Sequence, residues 1–290
     1  MSDFSSLRRK GYAVALLYFL LYTFIYRWFK SCQYFGQVRD LKKNDTFDII
    51  IFTQQWPASS CVLWEDMNQH NLCVSTDLFH YWTIHGIWPA RSTSNGPQFC
   101  NNSAKFDTKD VDSIKISLDN EWPNIRENFT EDSLWEHEWN KHGTCLISHP
   151  TLGGENNYFS AGLNLASQYN ITTFLAKNGI LPSLSVSYNA SQIWNAIHDS
   201  LEVHPRLDCI YDKVFKEHLL WQVKLCFSKD LKVIDCPSSP ENYHFGSCPI
   251  TKPIYFPTRD IINLKKIVRH RLTLNFLQAS LDLLNSMSLI

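Results

Sequence analysis

The chain has 290 residues, with nine cysteines, ten tryptophans and a net charge of −1 from 27 basic and 28 acidic side chains. This length suits one large domain or two small ones. The near balance of charge argues against a protein that coats nucleic acid electrostatically, because such domains are strongly basic. The cysteines and tryptophans together indicate a disulfide-stabilised domain with large aromatic contacts.

The first thirty residues are typical of a segment that targets a chain to a membrane. Basic residues at 8–10 precede an uncharged stretch at 11–26, and Arg27 and Lys30 follow it. The stretch suits the core of a signal peptide and is short for a membrane span of about 20 residues, yet no small-x-small cleavage site follows. Residues 1–30 are therefore predicted to be either a signal peptide or an uncleaved signal anchor. Both alternatives place the rest of the chain in the secretory pathway, as an extracellular, lysosomal or vacuolar protein or as a membrane-anchored one.

Asn-x-Ser/Thr sequences agree with this compartment. Their presence predicts N-glycosylation at some of them, which would place those residues on the surface. The acceptor positions are Asn44, Asn101, Asn128, Asn170 and Asn189.

In chain order, a polar segment at 31–46 is predicted to form a stalk, and strand-like, then helical, then again strand-like patterns follow it. The predicted strands are Phe47–Trp56, Tyr81–Ile84, Asp208–Tyr211, Leu220–Phe227, Lys232–Asp235 and Pro253–Phe256, and the predicted helices are Asp110–Leu118, Glu131–His142, 157–169, 171–178 and 190–201. Strands and helices without regular alternation predict an α+β fold. We expect a single domain over 47–258, with a mainly antiparallel central sheet and several packed helices.

The last segment, 259–290, differs from the rest. Basic residues at 265, 266, 269 and 271 are interleaved with Ile, Val and Leu, which gives an imperfect amphipathic helix. Such a helix could contact a membrane or the domain surface. A poorly ordered C-terminal tail is the other interpretation, and the sequence favours it.

Two short segments carry the chemical information. The first is Tyr-Trp-Thr-Ile-His-Gly-Ile-Trp-Pro at 81–89, and the second is Trp-Glu-His-Glu-Trp-Asn-Lys-His-Gly-Thr-Cys at 135–145. Histidines can transfer protons near neutral pH, and positive charge stabilises a phosphorane, so such a set can act on a phosphate without a metal. The candidate residues are His85, His137, Glu138, Lys141 and His142.

Helical spacing sorts the second segment. Thr130 is a plausible N-cap for this helix and Gly143 its stop. Glu138 and His142 are four residues apart and share a face, so the carboxylate is predicted to orient the His142 ring and raise its pKa. His-Glu at 137–138 also resembles the start of a zinc-protease motif, but a separation of five residues turns the next histidine about 140° away. No metal is therefore predicted.

Both segments resemble the active-site segments of the ribonuclease T2 family, the secreted, acid-active RNA endonucleases. Weaker similarity extends over 54–57, 204–205 and 254–257. The resemblance implies a metal-independent endoribonuclease, without a cofactor, that cleaves single-stranded RNA to 2′,3′-cyclic phosphate ends and then more slowly hydrolyses these to 3′-phosphates.

The resemblance also assigns roles. It gives His85 and His142 the parts of acid and base, with His142 favoured as base in the first step, although the sequence alone does not decide this. Glu138 would assist the histidines, and His137 and Lys141 would bind the phosphate.

Base-binding positions are where the chain departs from the family. Trp88 and Gln55 are the candidate base-binding residues, and for Gln55 a structural hydrogen bond is an equal alternative. Ala90 replaces a frequent aspartate, and Leu134 replaces a frequent phenylalanine. These two changes lend slight support to an alternative function: a secreted or membrane-anchored RNA-binding or signalling glycoprotein that keeps the fold with weak or no catalysis.

The cysteines complete the sequence evidence. Spacing favours two local disulfides, Cys61–Cys73 and Cys226–Cys236, and the resemblance implies these two together with Cys100–Cys145 and Cys209–Cys248. Cys32 is left over. It could be free, acylated or joined to another chain in a disulfide dimer.

Overall fold

The computed structural model describes residues 23, 26, 47–68, 70–74, 80–94, 96–237 and 245–287. The predicted signal segment, the predicted stalk, Cys32 and Asn44 lie outside these residues, apart from Thr23 and Tyr26. Among the described residues, none of the helices has the length and apolar character needed to cross a membrane. Residues Phe47–Ile290 cluster as one compact unit.

A seven-stranded sheet forms the centre of this unit. The long strand β5 pairs in antiparallel fashion with β1, β4 and β6, and in parallel only with the short β7. β2 extends the sheet beyond β1, and β3 extends it beyond β7. The strands are β1 Ile49–Gln55, β2 Thr83–Ala90, β3 Ser187–Tyr188, β4 Arg206–Asp212, β5 Glu217–Ser228, β6 Val233–Ile234 and β7 Ile254–Tyr255. The predicted α+β fold with a mainly antiparallel sheet is confirmed.

Seven α-helices lie among the described residues and pack around this sheet. They are α1 Pro57–Met67, α2 Lys115–Glu121, α3 Ser133–Lys141, α4 Glu155–Gln168, α5 Ile171–Lys177, α6 Ala190–Leu201 and α7 Asp260–Met287. Short 3₁₀ helices, Thr108–Ile114 and Gly143–Leu146, precede α2 and follow α3. The side chains of Asn170 and Asn189 cap α5 and α6 through bonds from backbone N–H groups.

Helix α1 has no counterpart among the predicted helices. Its buried residues include Ser59, whose Oγ donates a hydrogen bond to the backbone oxygen of Leu220 at 2.6 Å. Polar side chains on a buried face weaken the helical periodicity on which sequence prediction depends. Pro57, which suits the first position of a helix, is also a common turn residue.

The first motif forms a longer strand than expected. β2 continues to Ala90, whereas the prediction ended at Ile84, because Gly86 and Pro89 both weaken the strand pattern. Its partner β1 is buried between β2 and β5, and Ile50 and Phe52 are fully enclosed. The histidine of the first motif therefore projects from the strand at one end of the sheet order, beside the buried strand β1.

All four expected disulfides are present. Cys100–Cys145 links the loop after β2 to the 3₁₀ helix after α3, with a Cα–Cα distance of 4.9 Å. Cys226–Cys236 fastens β6 to β5. The Cys100–Cys145 bond therefore limits movement between the regions that carry the two motifs.

The C-terminal segment is a helix, not the poorly ordered tail that the sequence favoured. The start of α7 packs against the domain: Ile261 is buried, and the fully buried Lys265 forms ion pairs with Asp66 of α1 and Asp212 of β4. Arg269 also pairs with Asp66. The sequence pattern gave no sign of these ion pairs, because the acidic partners are distant along the chain. The packed unit consequently continues beyond residue 258.

Candidate active site

Strand β2 and helix α3 bring the two motif segments together. Nε2 of His85 lies 3.7 Å from Oε1 of Glu138. The other carboxyl oxygen, Oε2, accepts a 2.8 Å hydrogen bond from the indole N–H of Trp88. The Trp88 ring lies 5.2 Å from the ring of His85 and 5.3 Å from that of His142. The rings of His85 and His142 thus both lie near Trp88, whose indole N–H is bonded to the Glu138 carboxyl group.

The close approach of Glu138 to β2 requires a glycine. A Cβ atom at position 86 would lie 2.1 Å from Oε2 of Glu138 and 2.4 Å from the indole nitrogen of Trp88. Any side chain at Gly86 would displace the carboxyl group. The glycine that shortened the predicted strand is therefore the residue that lets the carboxyl group reach His85.

Hydrogen bonds fix both the ring and the backbone of His85. The side-chain amide of Gln222, on β5, donates to Nδ1, and the indole of Trp122 donates to the backbone oxygen of His85 at 2.9 Å. Because an amide N–H can only donate, Nδ1 must accept. In the neutral ring the proton therefore resides on Nε2, the nitrogen nearest Glu138.

His142 has a different setting. It is the C-cap of α3, and its backbone N–H donates to the backbone oxygen of Glu138 at 2.9 Å. The ring is buried, with 7% of the residue exposed, and Nδ1 has no hydrogen-bond partner among the described residues. The expectation that the Glu138 carboxylate orients His142 is wrong. The chain leaves the helical path at His142, and the carboxyl group is engaged by Trp88 and His85 instead.

Burial sets the protonation states of these groups. Loss of solvent lowers the pKa of His85 to about 3, and the positive charge of Lys224 contributes. Burial lowers the pKa of His142 to about 2, helped by the charge of Lys141. Burial raises the pKa of the Glu138 carboxyl to about 8, against the opposing effect of the Trp88 hydrogen bond. Between these values, both rings are neutral and the carboxyl group carries a proton.

Lys141 supplies positive charge at the edge of this centre, and His137 lies beside it on the same helix. The field of Lys141 contributes to the pKa shifts of all four neighbouring groups, which are His85, His137, Glu138 and His142. His137 is exposed, and partial desolvation followed by the charges of Lys141 and Arg126 lowers its pKa. The described site therefore brings together the five residues that the two motifs predicted.

Two clefts open beside the histidines. The His142 cleft has a volume of about 660 Å³, and its lining includes Trp88, Ala90, His142, Arg206 and Lys224. The His85 cleft is smaller, about 80 Å³, and its lining includes Gln55, His85, Asn124, Arg126 and Leu134. Ala90 and Leu134, the two departures from the family pattern, thus lie one in each cleft.

The two candidate base-binding residues also have structural partners. Oε1 of Gln55 accepts a hydrogen bond from Ser60 at 2.9 Å, and the residue is buried. The indole N–H of Trp88 is engaged by Glu138, and the ammonium of Lys224 lies 5.5 Å from its ring centroid. Each residue lines a cleft while supporting the surrounding structure.

Sequence reasoning missed Gln222, Lys224 and Arg126. Gln222 and Lys224 alternate with buried Val223 and Leu225 along β5, so a two-residue period could have placed them on one face. That this face meets His85 and Trp88 depends on strand order, which no motif encodes. Arg126 lies in a loop and has no sequence signal.

The chain is similar to known ribonucleases over this part of its length. The model of the ribonuclease T2 family matches residues 47–236. Ribonuclease Oy of Magallana gigas is 36% identical over 208 residues, which cover 71% of this chain and 94% of the relative. Ribonuclease T2 of Danio rerio is 30% identical over 206 residues, which cover 71% of this chain and 79% of the relative. Among solved structures, RNase NT in complex with 5′-AMP aligns with a TM-score of 0.61 at 29% identity, over 73% of this chain and 99% of that one.

Proposed function

Because the chain belongs to the ribonuclease T2 family and is an endoribonuclease, we propose that it cleaves single-stranded RNA by transphosphorylation. The products are 2′,3′-cyclic phosphate ends, which a slower second step hydrolyses to 3′-phosphates. The observation that carries the proposal is the pair of histidines whose rings both lie near Trp88: the half-buried His85 is beside a protonated carboxyl group, and the buried His142 is not.

The protonation states suit an acid and a base that work together. His85 and Glu138 interact closely, so they titrate as a pair that keeps one proton until the pH approaches about 8. His142 stays neutral above about pH 2 and is free to accept a proton. This difference favours His142 as the base and His85 as the acid in the first step.

In the first step, His142 removes the proton from the ribose 2′-hydroxyl, and the oxygen attacks phosphorus. The bond from phosphorus to the 5′-oxygen breaks, and that oxygen receives the proton from Nε2 of His85, which the pair with Glu138 replenishes. In the second step the roles reverse: the His85–Glu138 pair, now one proton short, takes a proton from water as the water attacks the cyclic phosphate, the bond from phosphorus to the 2′-oxygen breaks, and His142 gives its proton to that oxygen.

Lys141 and His137 stabilise the phosphorane during both steps. Developing negative charge on the phosphoryl oxygens is offset by preorganised positive charge in a site shielded from water. The bound phosphate in turn favours the charged forms of His85 and His142, because an opposite charge nearby raises a histidine pKa. No metal is needed, because the nucleophile belongs to the RNA and the protons are carried by side chains.

The direction in which the RNA strand lies across the site follows from these roles. The ribose that supplies the 2′-oxygen contacts His142, so the nucleotide on the 5′ side occupies the His142 cleft and the next nucleotide occupies the His85 cleft. Trp88 and Gln55 would contact the two bases, and a base stacked on an aromatic ring contributes about 1–3 kcal/mol. Ala90 offers no carboxylate to an exocyclic amine, so we expect weak discrimination between bases in the first cleft. The 5′-AMP bound to RNase NT supports a nucleotide ligand.

The disulfides support a place in the secretory pathway, because such bonds persist in oxidising compartments. Asn101, Asn128, Asn170 and Asn189 are exposed and suit N-glycosylation. The caps formed by Asn170 and Asn189 use Oδ1, whereas a glycan attaches to Nδ2, so capping and glycosylation are compatible.

The N-terminal segment 11–26 would attach the protein to a membrane if it is retained, and Cys32 next to it would be able to link two chains. Electrophoresis of the protein from cells, with and without reductant and glycosidase, tests both the dimer and the glycans. A single unshifted band under all four conditions would reject them.

The test of the activity is the chemistry of the 3′ ends left on single-stranded RNA after incubation with the purified protein in excess chelator. We expect 2′,3′-cyclic phosphate ends first and 3′-phosphates later. Ends carrying a free 3′-hydroxyl, or activity that requires added metal, would contradict the proposed mechanism. Absence of cleavage by folded, disulfide-bonded protein would favour a binding role for the fold.

A further inference from the structure

The His142 cleft carries positive charge in excess of what one scissile phosphate requires. Its described lining contains Arg91, Arg206 and Lys224 and no carboxylate. Its volume of about 660 Å³ lies within the range of about 300–1,000 Å³ typical of ligand sites, so it has room for a nucleotide together with a second phosphate. Lys141 and His137, the groups proposed for the scissile phosphate, are not part of this lining.

Arg206 and Lys224 are direct partners across the β4–β5 ladder. Like charges directly opposite each other destabilise a sheet, so this pairing carries an energetic cost that nearby negative charge must offset. Asp208, two residues along β4, pairs with the ammonium of Lys224 and supplies part of that charge. An anion bound between the two cations would supply the rest.

The position of Lys224 connects this pair of cations to the catalytic centre. Its ammonium lies 5.5 Å from the centroid of the Trp88 ring, and that ring lies 5.3 Å from the ring of His142. Its side chain is only 17% exposed, and its ion pair with Asp208 fixes its place. Arg206 is exposed at the first position of β4 and extends the positive surface outward.

The nucleotide in this cleft has a phosphate on its own 5′ side whenever the RNA continues upstream. We propose that Arg206 and Lys224 bind this upstream phosphate, so that the protein favours RNA that extends in the 5′ direction. The inference rests on the proposed function, because the direction of the strand is taken from the role of His142.

The test compares UpU with its 5′-phosphorylated form, pUpU, and its 3′-phosphorylated form, UpUp. We expect kcat/KM to be roughly five- to tenfold higher for pUpU than for UpU, as a charge-assisted contact at a partly exposed site would give. UpUp should gain less than about twofold. The ratio of pUpU to UpU should fall towards one in Arg206→Gln and in Lys224→Gln, and Arg206→Lys should retain most of it.

Lys213→Gln provides the matched control. Lys213 is exposed in the turn at the other end of the same β-hairpin, so this variant removes the same charge without touching the cleft. The ratio of pUpU to UpU should be unchanged in it. A fall equal to that in Arg206→Gln would show that net charge, rather than a site, produces the preference, and would overturn the inference.

A wild-type ratio near one, with UpU itself cleaved, would reject the upstream subsite and leave the ribonuclease activity intact. A larger gain for UpUp than for pUpU would show that the strand runs the other way. Calorimetric binding of uncleavable dUpdU and pdUpdU in excess chelator tests the subsite without turnover. Tighter binding of pdUpdU that depends on Arg206 would support the site even if no RNA were cleaved, and equal binding would overturn it.

Discussion

Two of the places where the described chain buries ionisable groups differ in how their charges are matched. At the junction of α1, β4 and α7, Lys265 is fully enclosed and lies between the carboxylates of Asp66 and Asp212. At the catalytic centre, Glu138 and His142 are also buried and His85 is half-buried, but Nδ1 of His142 has no partner within the described part of the chain, and desolvation shifts the pKa of each group towards its neutral form.

The difference shows that buried polar groups can serve either stability or function. An ion pair whose partners are both supplied by the chain holds elements together, and removing one partner leaves the other buried without a counter-charge. A group left short of partners destabilises the free protein slightly and can respond to a charge brought by a ligand. Substitutions at the two places should therefore change different measured quantities.

The largest effect is expected from His142→Ala or His85→Ala. Loss of the base or the acid should lower kcat by about 10²–10⁴-fold, the usual contribution of positioned proton transfer. His218→Ala is the control, since this histidine lies on β5 near the β4–β5 turn and contacts Tyr211 rather than the clefts. Single-turnover cleavage of a short RNA measures the effect. A loss of less than about tenfold in either active-site variant would remove that histidine from the mechanism.

Lys265→Met should change stability instead. It leaves the fully buried Asp212 without a counter-charge, whereas Asp66 keeps Arg269, so the free energy of unfolding should fall by about 3–5 kcal/mol, as is typical when one partner of a buried pair is removed. Urea unfolding measures the change. The double variant Lys265→Met with Asp212→Asn should recover part of the loss, and kcat of the folded fraction should be unaffected. An unchanged unfolding midpoint for Lys265→Met would show that α7 does not contribute to the domain.

Glu138→Gln should alter the pH dependence of catalysis. Glutamine cannot hold the proton that the His85–Glu138 pair keeps to about pH 8. His85 alone, with its pKa lowered by burial, should be deprotonated at mildly acidic pH. We expect kcat/KM at pH 6 to fall by about 10–100-fold and the alkaline limb of the wild-type bell-shaped profile to move to lower pH. Glu138→Asp should keep the limb near its original place, whereas a uniform loss at all pH values would indicate only a structural role.

The same substitution should change how stability depends on pH, by a smaller amount. The Glu138 pKa is raised in the folded state, so its contribution to stability is present below about pH 4.5 and is lost as the pH rises towards about 8. Between pH 6 and pH 7, the wild type should lose about 1 kcal/mol relative to Glu138→Gln. Denaturation at the two pH values gives the difference. Parallel curves for the two proteins would mean that Glu138 is ionised in the folded state.

Sequence alone predicted the parts of the molecule that local patterns encode. The two histidine segments, the strand β1, the helix α6 and all four disulfides follow from residues close in the chain or from motifs that resemble one family. The partner of Glu138 was predicted wrongly, because helical spacing favours His142 whereas the carboxyl group points to β2.

Long-range contacts account for the other failures. Gln222 of β5 reaches His85 of β2 because both strands pair with β1, one on each side. The sequence does not state this strand order. The ion pair of Lys265 has no local sequence signal, because Asp212 lies 53 residues away along the chain. Each of these residues has an ordinary local pattern, and its role is defined by an element distant in sequence.

The central claim is that the His85–Glu138 pair retains a proton while His142 remains neutral. It can be tested by following the Glu138 carboxyl carbon and the ring nitrogens of His85 and His142 by NMR from pH 3 to pH 9 in the free protein. We expect one proton to leave the pair near pH 8, sensed by both Glu138 and His85, and no protonation of His142 above pH 3. A Glu138 carboxyl group that titrates near 4.5, with His142 titrating near 6.5, would contradict the account.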